Sequence, residues 1–188
     1  MSYEVIAIGA SWGGLYAVSR LLDGLSTEVG PAIVLAQHRG PDSTRGGLAA
    51  MLQRHVARPV TEPYDKETIE PRHVYVAPAD YHLLVENGHF SLSTDERVQF
   101  ARPSIDVLFE SIAQAYGERA IGIVLTGANE DGALGLAAIK ERGGVAIVQD
   151  PGTAARRSMP EAAIAAAQAD AILELEEIPQ FLYRLCCT

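Results

Sequence analysis

The feature that most restricts how this chain can fold is a repeated alternation of short apolar runs with amphipathic stretches. The runs lie at residues 5–8, 32–36, 74–77, 121–125, 145–149 and 171–173, and several are rich in Val and Ile. They are apolar at successive positions rather than alternate ones. Both faces of each strand must then be buried, as in a parallel sheet. Between them, residues 14–22, 43–55, 105–116, 133–142, 160–168 and 178–185 repeat their apolar positions at three- and four-residue steps, as in Leu15, Val18, Leu21 and Leu22. That is the spacing of helices that cover a sheet. One segment breaks the alternation. "HLLVENGHFSLS", residues 82–93, reads as two short strands around Asn87-Gly88, a dipeptide suited to a type I′ turn because both central residues need positive φ. Residues 94–102 are polar and read as loop. The predicted fold class is α/β: a three-layer α/β/α sandwich with a mostly parallel sheet and a β-hairpin insert. In such sheets the ligand sits beyond the carboxyl ends of the strands, so the chemistry is expected there.

The 188 residues suffice for one domain, with 48% of them apolar. No linker, repeat or low-complexity tract divides residues 1–188, so a single domain is expected. The formal net charge of −9 argues against nonspecific nucleic-acid binding and against a basic membrane-surface patch. Cys186 and Cys187 are adjacent and form neither a disulfide framework nor a metal site by themselves. Glu4 interrupts a very short apolar start, and no apolar run is long enough to span a bilayer. A cytoplasmic protein without membrane insertion is the expectation.

The first strand ends in Gly9-Ala10-Ser11-Trp12-Gly13-Gly14. A phosphate-binding loop needs a lysine beside its last glycine, and Leu15 stands there instead. A dinucleotide fingerprint needs a second glycine where Ser11 stands. Two readings survive. Ser11 caps the next helix while the glycines permit the turn, or G-x-S-x-G is a nucleophile elbow. In the second case the free N–H groups at the helix start can bind an oxyanion.

A nucleophile needs a base. Of the five histidines, His55 lies late in a helix, where a solvated or capping role fits, and His73, His82 and His89 lie in or beside the hairpin, where exposure is expected. Only His38 directly follows a buried strand, "AIVLAQ". His38 and Asp42 are too few for a metal site. The base needs an orienting acid, and "LTGANEDG" offers Asp131, with Glu130 as its neighbouring competitor. Asp131 either caps the following helix or receives the second imidazole N–H and sets its tautomer. An ordinary α/β-hydrolase runs Ser, Asp or Glu, His; here the histidine lies between serine and aspartate.

Together, "IGASWGG", "QH" at Gln37-His38, "HVYVAPAD", "RPSIDVLF", "LTGANEDGALGL" and "QDPGT…SMPEAAI" resemble the CheB-type chemotaxis receptor methylesterases, a family of protein-glutamate methylesterases. The resemblance covers nearly the whole chain. It implies Ser11 as nucleophile, His38 as general base and Asp131 as orienting carboxylate, with Trp12, Gly13 and Ala128 lining the site and backbone donors near Trp12 and Gly13 receiving the oxyanion. It implies hydrolysis of glutamyl methyl esters on the cytoplasmic helices of methylated chemoreceptors, with glutamine deamidation as a further activity. No metal or organic cofactor is implied. Two positions depart from the family pattern: Trp12 stands where threonine is common, and Ala128 where methionine is common. The family's receiver domain has no counterpart in these residues, so control is expected from a separate regulatory partner or from receptor binding. The alternatives are a non-catalytic receptor-binding homologue and a serine esterase with another substrate. Because the chain is acidic, local arginines are the expected substrate contacts: Arg39, Arg156 and Arg157, with Arg45 and Arg102 as further candidates at strand-end loops and helix starts.

Overall fold

A computed structural model describes residues 2–187. The elements run β1 (Val5–Ala10), α1 (Gly14–Asp23), β2 (Ala32–Gln37), α2 (Gly47–Leu52), β3 (Val60–Thr61), β4 (Val74–Val76), β5 (His82–Glu86), β6 (His89–Ser93), α3 (Ile105–Tyr116), β7 (Ala120–Val124), α4 (Ala133–Glu141), β8 (Val145–Gln149), α5 (Ser158–Ala166), β9 (Ala171–Leu173) and α6 (Ile178–Cys187). Seven strands form one sheet in the order β3-β4-β2-β1-β7-β8-β9. Every pairing in it is parallel. β5 and β6 form the antiparallel hairpin, and Asn87 and Gly88 both take positive φ at its turn, 50° and 79°.

The two faces of the sheet differ in side-chain size. One face carries Ile6, Ile8, Ile33, Leu35, Ile121, Ile123 and Ile147, packed against α1 and α6. The other carries Val5, Ala7, Val34, Ala36, Ala120, Val124, Ala146 and Val148. On that second face the bulk comes from the helices: Ile105, Leu108, Phe109 and Ile112 of α3, and Leu136 and Ile139 of α4. A Cβ on Gly9 would stand 2.4 Å from Ile105 Cγ2, and one on Gly122 would stand 2.7 Å from Leu136 Cδ1. The small residues let α3 and α4 sit close to the central strands, and that closeness places the start of α3 at the site. The hairpin rests on the outer side of α3, with Leu83, Val85 and Phe90 in the same core, and the Val85 N–H donates to Ser111 Oγ at 3.0 Å.

Several boundaries differ from expectation. The helix expected over 43–55 is six residues, Gly47–Leu52, followed by a 3-10 turn. Gly46, at φ 73°, ends a turn that no helix can include. The helix expected from residue 160 begins at Ser158, because a proline in the first helical turn sacrifices no hydrogen bond. β3 was not expected; it is a two-residue edge strand, too short to carry a pattern. His82, expected exposed, is buried. Its Nε2 lies 2.9 Å from Glu96 O, and its Nδ1 accepts from Ser104 N–H at 3.2 Å, so the neutral ring ties the 94–102 loop to the start of α3.

Candidate active site

β1 is the central strand, flanked by β2 and β7. The chain leaves β1 toward one side and returns to the other, which opens a crevice at the carboxyl ends, where such sheets bind ligands. Ser11 follows β1, His38 follows β2, and the 126–131 loop follows β7. The sheet ladder reaches into the site. His38 N–H donates to Ala10 O at 3.1 Å, and Ser11 N–H donates to Thr126 O at 3.0 Å. Gln37 Nε2 donates to Ser11 O at 2.8 Å and to His38 O at 3.1 Å, clamping the two strand ends together.

The side chains then meet. His38 Nδ1 lies 3.1 Å from Ser11 Oγ, and His38 Nε2 lies 2.7 Å from Asp131 Oδ2. Asp131 is fully buried. It does not cap α4, the helix that follows it, whose N-cap residue is Gly132. It sits at the start of α3 instead. Its Oδ2 accepts from Ile105 N–H at 2.7 Å, and its Oδ1 accepts from Asp106 N–H and Ser104 Oγ–H, both at 2.9 Å. Asp106 returns the favour to α4: its Oδ1 accepts from Gly132 N–H at 2.9 Å and Gly135 N–H at 2.7 Å. Each carboxylate thus serves the other's helix.

The exchange separates the two acids electrostatically. Burial alone would raise the Asp131 carboxyl. The His38 hydrogen bond, the N–H groups of Asp106 and Ile105 and the attraction of His38 outweigh it, and hold the group below its ordinary 3.8. A carboxylate at a helix N-terminus also meets the positive end of the helix dipole. Asp106 goes the other way. Burial, helped by the nearby Asp131 charge, pushes it from 3.8 to about 6. Two neighbouring carboxyls driven apart is the pattern by which a site keeps one acid reliably ionised. With Asp131 ionised against Nε2, that nitrogen carries the proton, and the Nδ1 lone pair faces Ser11.

Around Ser11 the backbone is open. Its own N–H is used by Thr126, but among the described residues the N–H groups of Trp12 and Gly13 have no hydrogen-bond partner. Gly13 takes φ 76°, and a Cβ there would press to 2.6 Å from Ala155 Cβ. The Trp12 ring is 65% exposed and lies under Arg156, whose guanidinium carbon is 5.5 Å from the ring centroid. Thr126 Oγ1 donates to Trp12 O at 2.9 Å and accepts from Arg156 N–H at 2.9 Å, joining the elbow to the loop before α5. Ala128 and Glu130 are exposed, so Glu130 has no part in orienting His38.

A cavity of about 380 Å³ opens beside His38 and Asn129, walled by Arg39, Arg97, Gln99, Phe100 and Arg102. Arg39 is paired with buried Glu62. Arg102 and Arg97 both engage Asp80, at 2.7 and 3.5 Å. Of the other expected arginines, Arg157 pairs with Glu161 along α5 at 2.7 Å, and Arg45 lies over the Tyr64 ring. Among the described residues, no group of three or more His, Cys, Asp or Glu side chains is placed to hold a metal ion. No helix among them is long and apolar enough to cross a membrane.

The model of the family described as CheB methylesterase matches residues 6–182. This chain belongs to that family. A Leptospira interrogans protein that carries the provisional name protein-glutamate methylesterase/protein-glutamine glutaminase is 48% identical over 186 residues, covering 98% of this chain and 96% of that protein. Protein-glutamate methylesterase/protein-glutamine glutaminase 1 of Hahella chejuensis is 42% identical over 93% of this chain, and the match takes in 49% of the Hahella protein. The chain therefore spans about half the length of that relative and nearly all of the Leptospira one. The crystal structure of the Thermotoga maritima CheB methylesterase catalytic domain superposes with a TM-score of 0.91 at 32% identity, covering 98% of this chain and all of that one. The three-layer fold with its hairpin is thus the fold of the CheB methylesterase catalytic domain. Sequence reasoning missed Ser104, Asp106 and Asn129 at this site. The one signal available was Ser104 before an apolar periodic run, which marks a helix start.

Proposed function

We propose that this chain is a carboxylic ester hydrolase that converts glutamyl methyl esters on chemoreceptors to glutamate, and that glutamine deamidation is a second reaction at the same site. The observation that carries the reading is the continuous hydrogen-bonded chain from Ser11 Oγ through His38 to Asp131, with two free N–H groups beside the serine, in a CheB methylesterase family member. Ser11 Oγ attacks the ester carbonyl while its proton passes to His38 Nδ1. Asp131 stabilises the imidazolium through Nε2 and stays ionised throughout. The N–H groups of Trp12 and Gly13 receive the oxyanion. Methanol departs with the proton from Nδ1, and water then resolves the acyl-enzyme by the same base. For a glutamine side chain the leaving group is ammonia. No step calls for a metal or cofactor.

Residues 1–188 act in this reading as one catalytic domain. The arginines near the mouth contribute substrate contacts. Arg156 lies on the Trp12 ring next to the serine, Arg157 stands at the start of α5, and Arg39 walls the cavity beside His38. The exposed Trp12 favours a second reading, an esterase whose mouth is shaped for another ester.

The deciding assay is methanol release from methylated receptor, run beside hydrolysis of an aryl ester, with wild type and Ser11→Ala. Wild type should release methanol, and Ser11→Ala should lose about 10⁴-fold or more, with His38→Ala adding little on top. Near-normal release by Ser11→Ala removes the nucleophile. Aryl ester turnover without methanol release moves the chain to the second reading.

A further inference from the structure

Asn129 stands two residues before Asp131, half-buried beside the cavity. Its carboxamide touches two atoms of the site. Oδ1 accepts from Asp131 N–H at 3.2 Å, and Nδ2 lies 3.2 Å from His38 Nδ1. The first contact fixes the second. An amide turned over would point NH₂ at the Asp131 N–H, donor against donor, so the orientation with Nδ2 on the imidazole is the consistent one. His38 Nδ1 has one lone pair, and it is approached by two donors, the Ser11 hydroxyl at 3.1 Å and the Asn129 amide.

We propose that Asn129 is a positioning residue for His38: its amide holds the Nδ1 lone pair of the resting ring and lets go as the serine proton arrives. The inference rests on the hydrolytic reading above. Its physics is a matter of sign. A donor at Nδ1 stabilises the neutral ring that carries its proton on Nε2 and opposes protonation of Nδ1. Asp131 at Nε2 pulls the other way, toward the imidazolium. Without the amide, the base would be captured by a solvent proton at a higher pH and fewer rings would be ready for Ser11. Once Nδ1 holds a proton it is a donor, so the Asn129 amide is repelled and turns toward the open cavity.

The other charged groups around the ring do not carry this effect. Asp131 faces Nε2, and Asp106 stands behind it. Arg39, Arg97 and Arg102 wall the cavity, each engaged by a carboxylate, Glu62 or Asp80. All of them remain in a variant at residue 129.

The test follows the His38 ring nitrogens by ¹⁵N NMR from pH 5 to 9 in wild type, Asn129→Ala and Asn129→Asp, and compares the acid limb of kcat/KM for an aryl ester. The wild-type neutral ring should carry its proton on Nε2. Asn129→Ala should raise the protonation midpoint by about half to one pH unit, the size of one ordinary hydrogen bond. Asn129→Asp puts an acceptor where the donor was and should raise it by about one unit or more. The acid limb should follow, with KM for the ester within about twofold. Midpoints that stay put or fall in the variants overturn the proposal, as does a wild-type ring protonated on Nδ1. If Asn129→Ala fails to fold for want of an acceptor for Asp131 N–H, Asn129→Asp keeps that oxygen and carries the test. The titration needs no turnover, so a wild type inert toward methylated receptor would defeat the hydrolytic reading without deciding this one.

Discussion

Replacing Asp106 with asparagine should make the protein more stable at neutral pH, although it removes a charge at a helix start. Asp106 is only 4% exposed, and its Oδ1 accepts from Gly132 N–H and Gly135 N–H. Asparagine keeps that oxygen, so the cap on α4 survives. The lost oxygen, Oδ2, accepts from Gln99 Nε2 at 3.0 Å, and the Gln99 amide can turn over to present its own oxygen. What disappears is the cost of ionising a buried carboxyl beside Asp131. The folded group protonates near pH 6, against an ordinary value of 3.8. A group raised on folding contributes stability in full below its unfolded value, and that contribution is lost as pH rises through the folded one. At about 1.4 kcal/mol per pH unit, the interval from 3.8 to about 6 corresponds to roughly 3 kcal/mol as an upper figure. Asparagine loses nothing over that interval. Urea unfolding of wild type and Asp106→Asn at pH 4.5, 5.5, 7 and 8 isolates the term, because the stability difference cancels every other titration the two proteins share. Asp131, coupled to Asp106, is the exception, but its lowered value leaves it ionised in both proteins across these pH values. The advantage of the variant should be about a third of its full size at pH 4.5 and should reach about 1–3 kcal/mol at pH 7–8. A difference that is flat with pH, or largest in acid, refutes the claim that Asp106 carries the strained charge of the pair.

Gly14→Ala would place a Cβ 2.1 Å from Gln37 Oε1, driving out the carboxamide that ties Ser11 O to His38 O. A loss of about 1–3 kcal/mol in urea unfolding and a fall in turnover should appear together; full activity in the variant would show that the clamp is dispensable. Neutralising Arg156 and Arg157 together should raise KM for methylated receptor more than for an aryl ester, since both residues lie outside the reacting centre. Equal effects on the two substrates would remove them from receptor recognition.

The sheet was legible in the sequence because parallel strands buried on both faces leave a local mark, a run without polar interruption. Residues 145–149 were placed to the residue for that reason; 171–173 were placed as well by their apolar run, although β9 is an edge strand with Ile172 exposed. β3 left no mark because two edge residues cannot show a period. The 43–46 stretch lost its helix to Gly46, whose left-handed φ is invisible in a hydrophobic pattern. At the site, Ser11, His38 and Asp131 stood out because each directly follows a buried strand or its loop. Asp106 and Ser104 did not, because their roles arise where the start of α3 meets the loop after β7, 25 or more residues away along the chain. Asp106 reads locally as an ordinary first-turn acid of α3. Only the closeness of α3 to the small-residue face of the sheet turns it toward α4. His82 was misplaced for a similar reason, since a hairpin strand looks exposed until the helix it rests on is known.

The use of Nδ1 rather than Nε2 toward the serine has a structural consequence. Nδ1 lies nearer the backbone, so its position depends less on side-chain torsion and more on where the main chain of His38 sits. That main chain is held by the sheet itself, through His38 N–H on Ala10 O and the Gln37 clamp. Ser11 is held in the same way from the other side, through its N–H on Thr126 O. The distance from serine to base is therefore set by the register of β2, β1 and β7, the most deeply buried part of the fold. The longer arm, Nε2, reaches a carboxylate fastened by three donors from the start of α3. A site built this way takes its serine and base from strand ends, and its acid from a loop that the start of α3 holds in place. Trp12, Asn129 and Arg156 lie on the loops around it.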